Sequence, residues 1–175
     1  MTEKMKTIYS WRPEKKFPRP ERKKMLALAE AAAETAGSGI RGVLSFSCVA
    51  EDEMAEINQA YVGHTGPTDV ICFDYRQSRM ALPAAGDEEE DVEVEIIVCP
   101  AVAAREAAKR GLPYSREVIL YLVHGLLHAA GQDDLKPELK RIMRRREGAV
   151  MRQLAERFDL DGFFPEPREQ TKGGK

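Results

Sequence analysis

Two hydrophobic periods run along this chain, one of about two residues and one of about 3.6, and they divide it into strands and helices. Leu44, Phe46 and Cys48 alternate with Ser45 and Ser47, which predicts a strand over residues 43–50. Val92, Val94, Ile96 and Val98 share one face against Glu93 and Glu95, predicting a strand over 92–99. Residues 5–11 form a shorter strand. Residues 69–75 are apolar at most positions, which predicts a strand central in the sheet. Helical spacing covers residues 21–36, ended by Gly37-Ser38-Gly39, and residues 51–61, with Met54, Ile57 and Tyr61 on one side. Pro100 opens a helix that Gly111 closes. A last helix spans 135–158, its core stripe made by Leu139, Met143, Val150, Leu154 and Phe158 with arginines outward. Prolines place a loop at 12–20, residues 63–67 read as turns, and 76–91 reads as a flexible connection.

The longest apolar stretch, VILYLVHGLLHAAGQDDL over residues 118–135, is interrupted by His124 and Gly125 and is too short for a membrane span. It predicts a buried helix. Gly131 stands where that helix ends, since glycine adopts the left-handed turn freely. Strands and helices mix without a linker or repeat, so the fold class is α+β in one domain, residues 1–162, followed by a polar tail, 163–175, expected to be disordered.

Composition narrows this further. The chain has 175 residues, 43% hydrophobic and 32% charged, which suits a soluble globular protein with a sizeable core. The start, MTEKMKTIYSW, is charged and has no signal-peptide core, so a cytoplasmic protein without a membrane anchor is expected. Cys48, Cys72 and Cys99 lie in apolar runs with no CxxC pair and read as core thiols. The net charge of −2 hides a segregation. Basic residues cluster at 15–24 and again at 136–146, while 87–91 is wholly acidic. A local basic face holds phosphate even when total charge is near neutral.

His124 and His128 are two of only three histidines, spaced i, i+4, so both imidazoles leave one helix face. That pair alone is explained equally well by core histidines. A chain reversing at Gly131 brings Asp134 back beside them, giving His-x3-His-x2-Gly-x2-Asp, a three-ligand site for one divalent cation. Asp133 competes for ligation or else accepts the free N–H of a liganding imidazole; spacing favours Asp134 as the ligand. Zinc-protease helices carry glutamate after the first histidine, and here that residue is Gly125, which argues against peptide hydrolysis. Zinc is the expected ion.

HGLLHAAGQDD is similar to the H-G-x-L-H-x-x-G-x-D-H signature of the YbeY family, through His124, Gly125, Leu127, His128, Gly131 and Asp133, with Asp134 where the family has a third histidine. INQAYVGHTGPTDVICF resembles a second family block through Asn58, Tyr61, Pro67, Thr68, Asp69, Val70 and Phe73; Val62 replaces an arginine expected to act in catalysis. The resemblance implies a four-stranded mixed sheet packed by five or six helices, with a metal site on a central helix and the turn after it. It implies a metal-dependent, single-strand-specific endoribonuclease of ribosomal RNA maturation and ribosome quality control, with RNA and the small ribosomal subunit or its proteins as partners. With Val62 unable to meet a phosphate, candidate RNA contacts are His64, Thr68, Arg76 and Arg79. Tyr61, Phe73 and Tyr75 are candidates for stacking bases. Loss of the arginine also admits a non-catalytic assembly factor that keeps its metal for structure.

Overall fold

A computed structural model describes residues 4–76 and 91–169. Four strands form one mixed sheet in the order β1-β2-β4-β3, where β1 is Lys6–Arg12, β2 Val43–Val49, β3 Val70–Asp74 and β4 Val92–Val98. β1, β2 and β4 are mutually parallel, and β3 runs antiparallel to β4. The helices are α1 (Arg22–Thr35), α2 (Glu51–Ile57), α3 (Pro100–Arg110), α4 (Tyr114–Ala129) and α5 (Pro137–Ala155). The mixed four-stranded sheet and five α-helices agree with the α+β expectation.

β3 is an edge strand, not a central one. Its apolar residues are covered on their faces rather than flanked on both edges. Ile71 is buried, and Phe73 packs between Tyr61 and Tyr75. Phe73 pairs with Glu95, whose neighbour Ile96 turns to the opposite face and packs under Gly125 of α4. Strand alternation therefore puts the Tyr61–Phe73–Tyr75 cluster on the sheet face away from α4.

α4 is the hub of the core. Val118, Ile119, Leu122, Val123, Leu126 and Leu127 are all fully buried, against Leu44, Phe46 and Ile96 of the sheet and Met25 and Leu28 of α1. At about 1.5–3 kcal/mol for each large apolar side chain buried, this helix is held by its packing and not by propensity. A Cβ on Gly125 would lie 3.1 Å from Cγ2 and 3.2 Å from Cδ1 of Ile96. Glycine lets α4 sit this close to β4, and a glutamate at this position would have nowhere to go.

The helix expected over 51–61 changes pitch at its end. α2 stops at Ile57, and Asn58–Val62 forms a π-helical turn in which the N–H groups of Gly63 and His64 donate to the Asn58 carbonyl at 2.9 and 3.3 Å. Single π turns recur at functional positions because they redirect side chains. Val62, in this turn, and His64, just after it, line the cavity that His124 and His128 of α4 also line.

The packed body also runs past the boundary at residue 162. Phe164 is 1% exposed and stacks on Trp11 at 6.0 Å, and its N–H donates to Ser115 Oγ at 2.7 Å. The Arg168 N–H donates to the Lys16 carbonyl at 2.7 Å. The connection expected over 76–91 lies mostly outside the described residues, with Arg79 and most of the acidic run; so do residues 170–175 of the tail. Cys48 and Cys99 are buried free thiols, and Cys72 is half-buried, its thiol pushed up to about 12 by burial and by Asp74. No helix is long and apolar enough to cross a membrane among the described residues.

Candidate metal centre

The end of α4 makes the site. Gly131 takes φ +93°, its N–H donates to the His128 carbonyl at 2.9 Å, and the Gln132 N–H donates to the Leu127 carbonyl at 3.0 Å. This double-bonded reversal satisfies two of the last carbonyls of the helix. It turns the chain back so that Asp134 returns to the imidazoles. Asp133 completes the turn: its carboxylate accepts the N–H groups of Asp134 and Leu135 at 2.7 and 3.0 Å.

His124 and His128 face each other Nε2 to Nε2 at 3.0 Å, with rings at 79°. Asp134 offers Oδ2 at 3.5 Å from Nε2 of His124 and Oδ1 at 3.6 Å from Nε2 of His128. Ligand atoms about 2.0–2.1 Å from a tetrahedral ion stand about 3.3 Å apart, so this triangle has the edges a metal site requires. Among the described residues it is the one group of three or more histidine, cysteine or acidic side chains close enough to hold an ion. All three side chains are half-buried, and the histidines line an open cavity of about 490 Å³.

The carboxylate on the outer nitrogen is Glu147 of α5, not Asp133. Its Oε1 lies 2.6 Å from Nδ1 of His124. When Glu147 accepts the Nδ1 proton, Nε2 keeps its lone pair turned to the other two donors. Burial pulls the His124 imidazole down, but the Glu147 hydrogen bond and charge, with Asp134 and Asp69 behind them, outweigh it and raise the basicity. Glu147 is 23 residues from His124, beyond any local spacing rule. Its signal is an acidic residue on the core stripe of α5, four after Met143 and three before Val150.

The remaining candidates divide. His64 and Thr68 line the same cavity as both histidines, with Val62 beside them. Thr68 donates its hydroxyl to Asp69 Oδ1 at 3.1 Å, and Asp69 Oδ1 accepts the Val70 N–H at 2.8 Å, so this pair shapes the entry to β3. Arg76 is not free for RNA. Its guanidinium donates to both oxygens of Asp74 at 2.9 and 2.7 Å, to the Ser38 carbonyl at 2.8 Å and to the Ala129 carbonyl at 2.6 Å. It is a clasp between β3, the end of α1 and the last turn of α4. The Tyr61–Phe73–Tyr75 cluster lies across the sheet from the histidines and packs on itself, Tyr61 edge-on to Phe73 and Phe73 stacked on Tyr75.

The family model described as "Endoribonuclease YbeY" matches residues 13–155. Relatives carrying that name include proteins of Cutibacterium acnes, 38% identical over 57% of this chain and 64% of that protein, and Salinispora tropica, 36% identical over 68% and 78%. A third, from Bifidobacterium adolescentis, is 31% identical over 75% of this chain and 78% of its own. The match to the first spans less than two thirds of that relative's length. The fold is similar to the solution structure of TM1509 from Thermotoga maritima, with a TM-score of 0.50 at 23% identity over 87% of this chain and 92% of that one. The triad on the glycine-ended helix, the mixed sheet beneath it and the match over residues 13–155 agree: the chain belongs to the YbeY family.

Proposed function

We propose that this chain is a metal-dependent, single-strand-specific endoribonuclease acting in ribosomal RNA maturation and ribosome quality control. The observation that carries the reading is the triangle of His124, His128 and Asp134 at metal-ligand spacing, with both histidines on the wall of an open cavity. The printed name of the relatives supplies the reaction class. We assign to the triangle one divalent ion per chain, zinc, because two imidazoles and a carboxylate with an open fourth direction suit zinc in hydrolases. Such an ion, when bound, polarises a phosphoryl oxygen and activates water for attack.

The chain's own groups do the rest. His124 and His128 present Nε2, and Asp134 presents an oxygen. Glu147 holds the Nδ1 proton of His124 and so fixes the ring and its tautomer. His64, exposed in the cavity wall, supplies a proton donor for the leaving oxygen. A cavity with mixed apolar and polar walls suits unpaired RNA more than a duplex. Ribosomal RNA as substrate makes the small ribosomal subunit or its proteins the partner and the cytoplasm the location.

The reading as a non-catalytic assembly factor rests on Val62 alone, and relatives named as endoribonucleases do not favour it. Peptide hydrolysis is opposed by Gly125, whose side-chain space Ile96 fills. The test is metal analysis of purified protein together with cleavage of single-stranded RNA, on wild type, His124→Ala and Asp134→Ala. Cleavage that stops with chelator and in both variants supports the reading. RNA binding without metal-dependent cleavage overturns it.

A further inference from the structure

The cavity at the triad does not end there. Thr68, Asp69 and His124 wall both it and a neighbouring cavity of about 480 Å³. Arg110, Glu117, Leu120 and Glu147 in turn wall both that second cavity and a third of about 530 Å³ between α3, α4 and α5. Shared residues make the three neighbours in a row, a trough in sections that passes His124 and runs along α5.

The charges along it are arranged unevenly. Of the carboxylates beside the triad, Glu117, 1% exposed, pairs with Arg110, Glu106 with Lys109, and Glu147 is on His124, while the Asp69 carboxylate accepts only the Thr68 hydroxyl and the Val70 N–H among the described residues. In the far section Arg116 is held by Asp161 at 2.6 Å. Arg144 and Arg152 line the same section, are exposed, and have no acidic partner among the described residues. Eight residues of helix separate them, about 12 Å along the axis, so they meet different phosphates of one strand.

We propose that this α3–α5 section of the trough is the track for the phosphate backbone of single-stranded RNA on one side of the reacting bond, held by Arg144 and Arg152. The proposal rests on the endoribonuclease reading and adds the route of the strand. Two unpaired guanidiniums in an open groove complement phosphates spaced along a flexible chain, and such contacts bind without sequence preference.

The experiment titrates zinc-loaded protein with a labelled oligouridine of about ten nucleotides by fluorescence anisotropy, between about 50 and 200 mM salt. Removing two phosphate contacts from a single strand lowers the slope of log affinity against log salt by about 1.4. Arg144→Gln with Arg152→Gln is expected to show that loss, with metal content and melting temperature unchanged. Arg41→Gln with Arg168→Gln, the same change of charge at two exposed positions outside the basic stretches 15–24 and 136–146, is expected to leave the slope alone. Equal slopes in wild type and the Arg144/Arg152 variant, or an equal drop in the Arg41/Arg168 control, overturn the track while leaving the endoribonuclease reading standing. Wild type that neither binds nor cleaves the RNA overturns both.

Discussion

Glu147 Oε1 lies 2.6 Å from His124 Nδ1, joining α5 to α4 through a single hydrogen bond. A carboxylate in this position fixes the imidazole and strengthens its other nitrogen as a ligand. Glu147→Ala should weaken metal binding by about 10- to 100-fold in a chelator competition. Glu147→Gln, which keeps an accepting oxygen without the charge, should fall between that variant and wild type. Equal affinities in all three would show that the contact carries nothing.

Asp134 closes the triangle, so Asp134→Ala should lose the ion while α4 stays folded, because that helix is held by its buried leucines. An ion present at about 100 times its dissociation constant stabilises the native state by about 2.7 kcal/mol. Wild type should therefore melt higher with added zinc, and Asp134→Ala should not respond. If the variant keeps its full metal content, the third ligand lies elsewhere.

Arg76 ties Asp74, Ser38 and Ala129 together, and the carbonyl it grips is one residue beyond His128. Arg76→Met should cost about 1.5–3 kcal/mol in urea unfolding, the range for hydrogen bonds to a charged group. It should also change acid behaviour. The Arg76 hydrogen bond, partly opposed by burial, lowers the Asp74 carboxyl below its ordinary value. A lowered carboxyl stabilises the fold above its unfolded pKa of about 3.9, and that part is lost as pH falls through the folded value. Stability measured downward from pH 5 should thus fall less steeply in Arg76→Met than in wild type.

Gly125→Glu would restore the zinc-protease pattern in sequence but not in space. Its Cβ would sit 3.1 Å from a fully buried Ile96. Overpacking of this kind costs about 1–3 kcal/mol, so a lowered melting temperature and no peptide turnover are expected. Melting like wild type would mean that α4 can shift away from β4.

The elements that positioned the site were legible because each follows a strong local rule: alternation in β2 and β4, glycine after α3 and α4, and a fully apolar face around the two histidines. The reversal at Gly131 and the return of Asp134 came from the same kind of rule. What stayed hidden depends on distant contacts. β3 looked central because its apolar residues record burial of faces, and nothing in one strand records its neighbours. The π turn after Ile57 leaves helical spacing almost intact. Glu147 and Arg76 act on partners 23 and 53 residues away, and Asp133 was given a role that Glu147 fills. Phe164 belongs to the core although polar residues follow it.

A strand laid along the proposed track passes His124 with chain on either side of it, which imposes a topology on the substrate. Such a polymer can be gripped anywhere along its length and need not present a terminus. Circularised RNA should then be cut as readily as linear RNA of the same composition. An enzyme that worked inward from an end would leave the circle intact.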